Sequence, residues 1–211
     1  EFPAETVRHE LKRGTDGFIV GIPGTEDALK VLAETDIPTV VMNISGGGIS
    51  DRKTNIAFVK SDSASVGREA AQTLLKQGVY KSYAYAGYRT DEDWSRERGI
   101  NFKDTLAAAG FIVRMFDVNH FQDKIEDKET LTKWLKDIPK PCGLLAACDD
   151  RAFEIANVCN EIGIKIPAEI GILGVNNDPI LCENSEPKLS SVQPDFIGEG
   201  RLAAELLNVM I

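Results

Sequence analysis

The side chains best able to grip a small polar ligand follow short apolar runs in this sequence. Asn43 follows Thr39–Met42, and Lys60, Ser61 and Asp62 follow Ile56–Val59. Tyr88 and Arg89, then Asp93-Trp94-Ser95, follow Ser82–Gly87; Cys148, Asp149 and Asp150 follow Gly143–Ala147; Asn176, Asn177 and Asp178 follow Ile170–Val175. Carboxylates, amides and an arginine suit a polyhydroxyl ligand, because each hydroxyl both donates and accepts a hydrogen bond. Trp94 offers a large apolar face with one polar N–H, fit for the apolar side of a sugar. Arg98 lies one helical turn beyond Trp94 and shares its face. The same residue types also form turns and cap helices. Ser63 and Asp149 stand where helices should begin and are candidate caps. Taken alone, Trp94 also reads as a core or lid residue, and Arg98 as half of a surface ion pair.

Other chemistries fit less well. Asp149 and Asp150 are neighbours in sequence and should point apart, which spoils them as paired acid and base. His9 and His120 have no ligand-like spacing, and Cys142, Cys148, Cys159 and Cys182 contain no C-x-x-C. No metal site is expected, and the cysteines read as buried, reduced thiols. Gly198-Glu199-Gly200-Arg201-Leu202-Ala203 fits a G-x-G-x-x-A string, but a dinucleotide fingerprint belongs in the turn after a first strand, not inside a last helix. Gly46-Gly47-Gly48 lacks the Gly-Lys-Ser/Thr ending of a phosphate loop, and no G-x-S-x-G elbow occurs. Asn43-Ile44-Ser45 matches a glycosylation string, with no sign of secretion. The residues therefore predict a ligand binder without cofactor and not an enzyme.

The elements that must position these residues alternate regularly. The apolar runs Gly17–Gly21, Thr39–Met42, Ile56–Val59, Ser82–Gly87, Phe111–Phe116, Gly143–Ala147 and Ile170–Val175 have strand length. Between them, helical periodicity predicts helices over Glu26–Glu34, Ala64–Gln77, Trp94–Ala109, Lys128–Asp137 and Arg151–Ile162. A helical stretch, Glu5–Arg13, precedes them. A short strand near Leu189–Val192 and an amphipathic helix over Phe196–Met210 follow. Such alternation predicts an α/β fold, with parallel sheets flanked by helices. Ligands of such sheets bind outside the carboxyl ends of the strands, where the polar residues fall. The 211 residues are 43% hydrophobic and 27% charged, an ordinary globular composition. A net charge of −9 repels phosphate and makes this stretch a poor nucleic-acid binder by itself. No apolar run has membrane-spanning length, and Glu1–Arg13 lacks a signal core, so a cytoplasmic location without membrane contact is expected.

Several of these segments carry a family resemblance. Ser61-Asp62-Ser63-Ala64-Ser65-Val66-Gly67, running through Ala70-Ala71 and Leu74-Leu75 to Gly78, resembles the central signature of LacI/GalR-type effector-binding cores. Cys148-Asp149-Asp150-Arg151-Ala152 resembles their N-D-x-x-A segment, and Ile172–Asp178 their v-x-G-x-D-D segment. Leu189-Ser190-Ser191-Val192 with Ile197-Gly198 is similar to a late segment of the same family. Asp93-Trp94-Ser95-x-x-Arg98-x-x-x-Phe102 and Asn177–Val192 narrow the resemblance to regulators of xylose operons, which join such a core to an AraC-type DNA-binding domain.

The resemblance implies a two-lobed periplasmic-binding-protein-like fold, with residues 1–77 and 191–211 in lobe one and 78–190 in lobe two. It implies that a sugar effector, a pentose with xylose first, binds between the lobes. Arg98, Asp149 and Asn176 would hydrogen-bond it, with Trp94 beside them, and Asn43, Phe58 and Phe196 would line the cleft. It implies a homodimer that reaches DNA through a domain missing here. The family's first strand has no counterpart, so a trimmed core is expected. Asn176 stands where the family often has Asp. A sugar-binding protein of a transport system, and a small enzyme acting on sugar phosphates, are the alternatives.

Overall fold

The computed structural model describes residues 4–21, 26–43, 55–116 and 124–211. His120, Ile44, Ser45 and Gly46–Gly48 lie outside them. In chain order the elements are α1 (Ala4–Lys12), β1 (Phe18–Gly21), α2 (Glu26–Ala33), β2 (Thr39–Met42), β3 (Ile56–Val59), α3 (Ser63–Gln77), β4 (Ser82–Ala86), α4 (Asp93–Ala108), β5 (Val113–Phe116), α5 (Lys124–Asp137), β6 (Cys142–Ala146), α6 (Asp149–Glu161), β7 (Ile170–Val175), α7 (Pro179–Asn184), β8 (Ser190–Val192) and α8 (Phe196–Met210). The predicted strands and helices are all present. The six-residue helix α7 was not foreseen.

The chain separates into two compact units, residues 1–61 with 195–211, and residues 62–194. The boundaries differ from those expected, 77/78 and 190/191. Helix α3 packs along α4, and β8 pairs with β7, so both belong to the second unit.

The first unit holds a parallel sheet in the order β1-β2-β3. On one face, Phe18 and Val20 pack with Val7, Ala28, Val31 and Leu32 of α1 and α2. On the other, Val40 and Val59 pack with Ala203, Leu206, Leu207 and Met210 of α8. In the central strand β2, Thr39, Val40 and Val41 are all buried, as a strand covered on both faces requires.

The second unit holds a five-stranded parallel sheet in the order β5-β4-β6-β7-β8. Every residue of β6 and of β7 is buried. Alternation along the strands sends Ala84, Ala86 and Leu144 toward Leu131, Leu135, Ile155 and Val158 of α5 and α6. It sends Tyr83, Tyr85, Leu145 and Leu173 toward Val66, Ala70, Leu74, Phe102 and Leu106 of α3 and α4. Because all the strands are parallel, their carboxyl ends share one edge of the sheet.

Two helix starts correct the expected caps. Asp62, not Ser63, caps α3: its carboxylate accepts from the Ser65 N–H at 2.8 Å, while Ser63 is buried in the first turn. Cys148 occupies the cap position of α6 and makes no capping side-chain bond; Asp149 is already helical. All four cysteines are buried and free of disulfides. Among the described residues, no helix is long and apolar enough to cross a membrane, and no cluster of His, Cys, Asp or Glu is arranged to hold a metal.

Candidate functional site

At the carboxyl edge of the five-stranded sheet, β4 leads into α4, β6 into α6, and β7 into α7. Arg98 comes from the second turn of α4, and two glycines fix that helix against its neighbours. A Cβ on Gly67 of α3 would collide with the Arg98 carbonyl, and a Cβ on Gly99 would collide with the Tyr85 ring of β4. Helix α4 is thereby seated closely between α3 and the sheet at the level of Arg98.

Arg98 is only 5% exposed. Its Nη1 donates to the Ala147 carbonyl, at the end of β6, over 2.6 Å. Its guanidinium carbon lies 4.8 Å from the centroid of Trp94, one turn earlier. At that distance the ring face attracts the cation, by about 0.5–2 kcal/mol depending on desolvation. Tyr88 packs on the same indole, with ring centroids 5.4 Å apart. Behind them, the Tyr85 hydroxyl donates to the Ser95 carbonyl at 2.6 Å, and the Tyr88 N–H donates to Ser95 Oγ at 3.0 Å. Burial pushes the Tyr85 phenol up to about 12. Trp94 and Arg98 are thus together, as their spacing predicts.

Asp149 and Asp150 diverge. Asp150 is exposed and pairs with Arg89 at 3.3 Å. Arg89 also bonds Glu154, which is paired at 3.1 Å with the buried Arg151; that arginine grips both oxygens of Asp127 at 2.6 and 2.8 Å. Arg89 and Asp150 therefore belong to an ion-pair network on α5 and α6. Asp149 is 1% exposed. Its Oδ2 accepts from the Asp178 N–H at 2.7 Å, and its Oδ1 from the Ser191 hydroxyl at 2.6 Å. Burial pushes the Asp149 carboxyl up, and the bonds from Ser191 and Asp178 partly offset that rise. Both oxygens have protein donors, and Asp149 lies inside the first turn of α6, one residue past the cap position.

Asn176 is exposed just past β7, and its N–H donates to the Val192 carbonyl at 2.9 Å. Asn176 and Asn177 have φ of 114° and 53°, backbone that costs a non-glycine residue about 1–3 kcal/mol and needs outside support.

In the first unit, Asn43 has φ 57° and is exposed. Its Oδ1 accepts from the Ser61 N–H at 3.0 Å, and Ser61 Oγ donates to Glu199 at 2.6 Å. Phe58 is 38% and Phe196 43% exposed. The register puts Phe58 on the sheet face of Val41 and Val20, opposite the face covered by α8, the helix that Phe196 begins. Ser61 was among the strand-end candidates, but its partner Glu199, and Ser191 beside Asp149, were not singled out as parts of the site. Their bonds span 42 residues for Ser191 to Asp149 and 138 for Ser61 to Glu199, beyond the reach of local spacing. Gly198, part of the G-x-G-x-x-A string, serves the Asp195 cap: its N–H donates to that carboxylate at 2.9 Å.

The xylose operon regulatory protein of Haemophilus influenzae is 26% identical over 202 residues, covering 93% of this chain and 51% of that protein. The chain thus spans about half the length of that relative. A transcription regulator from Lactobacillus plantarum superimposes with a TM-score of 0.71 at 21% identity, covering 98% of this chain and 76% of that one. A periplasmic binding protein/LacI transcriptional regulator from Alkaliphilus metalliredigens QYMF, complexed with D-xylulofuranose, gives 0.68 at 20% identity, covering 98% and 72%. Residues 71–211 match the family profile described as periplasmic binding protein-like domain. The parallel sheets covered by helices on both faces, the polar residues at their strand ends and this match together establish that the chain belongs to the periplasmic binding protein-like domain family.

Proposed function

We propose that this chain is the ligand-sensing core of a LacI-type transcription regulator, and that it binds a neutral monosaccharide, a pentose with xylose first. The observation that carries the reading is the placement of Arg98. Its guanidinium is held against Trp94 and the Ala147 carbonyl, on a strand edge that also exposes Asn176. A cation, an indole face and an amide match the mixed polar and apolar surface of a sugar. The named relative regulates a xylose operon, and one structure of similar fold carries a ketopentose. Asn43, Phe58 and Phe196 are proposed as further effector contacts. DNA contact through a domain outside residues 1–211, of the AraC type, and a cytoplasmic homodimer complete the reading.

Calorimetry of the chain with xylose, arabinose, ribose and their 5-phosphates tests it. A neutral pentose should bind, and Arg98→Met should weaken it at least about tenfold, the loss of one charge-assisted hydrogen bond. A phosphate dianion usually draws several cations or a helix N-terminal nest. Tighter binding of the phosphates, or no binding of any monosaccharide, would refute the proposal.

A further inference from the structure

The Asn176–Asn177 corner is an unfavourable piece of backbone that must be held from outside. The Asn176 N–H donates to the Val192 carbonyl at 2.9 Å and Asn177 Nδ2 to Gln193 Oε1 at 3.0 Å, and three further bonds converge on Asp149. The Asp178 N–H donates directly to Asp149 Oδ2, and the Asn177 N–H donates to Ser191 Oγ at 2.9 Å. The Ser191 hydroxyl in turn donates a hydrogen bond to Asp149 Oδ1 at 2.6 Å. Two consecutive backbone donors therefore end on one carboxylate, one directly and one through a hydroxyl relay. The carboxylate fits there because residue 174 is glycine: a Cβ on Gly174 would collide with Asp149 Oδ1. The same carboxylate joins the first turn of α6, the exit of β7 and the middle of β8. A charged acceptor that is out of water makes stronger hydrogen bonds than a neutral one, which suits a clamp on strained backbone.

We propose that Asp149 is the positioning residue of this corner: with Ser191 it holds the backbone that presents Asn176, and it does not itself meet the ligand. The part concerning ligand rests on the sugar-binding reading above; the clamp does not.

The clamp is tested without ligand, by amide hydrogen exchange of the 211-residue chain followed by NMR. In Asp149→Asn, protection of Asn177 and Asp178 should fall at least about tenfold, while Leu145 in the central strand β6 keeps its protection. Ser191→Ala, at a half-buried edge-strand position, should loosen Asn177 more than Asp178, because only Asn177 depends on the relay. Unchanged protection of both amides in both variants would overturn the clamp.

The ligand role is tested by a double-mutant cycle on pentose affinity with Asp149→Asn and Asn176→Ala, using the tightest of xylose, arabinose and ribose. Asp149→Asn should weaken binding about tenfold in the parent and have little effect once Asn176 is alanine. Additive losses would make Asp149 a direct contact and overturn the proposal. Unchanged affinity beside lost amide protection would overturn the positioning role. If the parent protein binds no pentose, the sugar-binding reading fails, while the exchange result still decides the clamp.

Discussion

Gly67→Ala sets two effects against each other, and the structure decides the sign. Alanine is a better helix former than glycine by about 1 kcal/mol, so propensity alone would stabilise α3. The new methyl, however, would run into the Arg98 carbonyl and lie about 3.1 Å from the Phe102 nitrogen. These are backbone atoms in the middle of α4 and cannot rotate aside as a flexible side chain would. Overpacking of a well-packed core costs about 1–3 kcal/mol, and a backbone neighbour puts this site at the upper end. The net is about 1–2 kcal/mol of destabilisation. For a chain of this size each kcal/mol moves the melting temperature by about 2–4 °C, so Gly67→Ala should melt about 2–8 °C lower. Gly200→Ala in α8 is the paired control, since its Cβ meets nothing within 4 Å. There propensity acts unopposed, and the melt should rise by about 2–4 °C. Thermal unfolding followed by circular dichroism reads both. A Gly67→Ala protein that melts at or above the parent would refute the reasoning.

The other outcomes follow from single contacts. Tyr85→Phe should flatten the alkaline limb of the stability profile. The folded phenol ionises near 12 and the unfolded one near 10, so its contribution is complete below 10 and is lost as pH rises through 12. That loss is up to about 2–3 kcal/mol, and a variant with the parent's alkaline slope in urea titrations would contradict it. Asp62→Ala should cost about 1 kcal/mol through the lost Ser65 bond, and Ser63→Ala should show no comparable capping loss; a reversed order in urea melts would refute the capping assignment. Arg98→Lys should weaken pentose binding despite keeping the charge, because an ammonium lacks the planar fork that reaches Ala147 while facing Trp94; calorimetry showing parental affinity would count against the site.

The architecture was legible because both signals that encode it are local. Strand-length apolar runs such as Ile170–Val175 are continuous because helices cover both faces, and Gly78, Gly110 and Gly163 end their helices with φ of 67°, 87° and 76°. Helix α7 escaped because six residues make under two turns, too few for periodicity to register. Its start was nonetheless written in Asp178, whose carboxylate accepts from the Ile180 N–H at 2.8 Å, and in Pro179 at the first helical position. The pairing of Trp94 with Arg98 was readable for the same reason as the helices: four residues make about one turn. The destination of Asp149 was not. Spacing places an acid at the start of α6, but only the register of β8 against β7 brings Ser191 to it. The close approach of α3 to α4 was likewise beyond local spacing, since it depends on Gly67 meeting a helix 31 residues away, at Arg98.

The division of the chain also bears on how it is built. Residues 62–194 form one uninterrupted stretch, whereas the first unit is assembled from two pieces, 1–61 and 195–211. On a ribosome the strands β1 to β3 emerge early, yet the helix that covers Val40 and Val59 emerges only after the whole of the second unit. At ordinary synthesis speeds of about 5–20 residues per second, that face stays bare for about 7–27 s. A nascent chain halted before residue 195 therefore carries every residue of the second unit and a three-stranded sheet whose Val40 and Val59 lack the α8 cover.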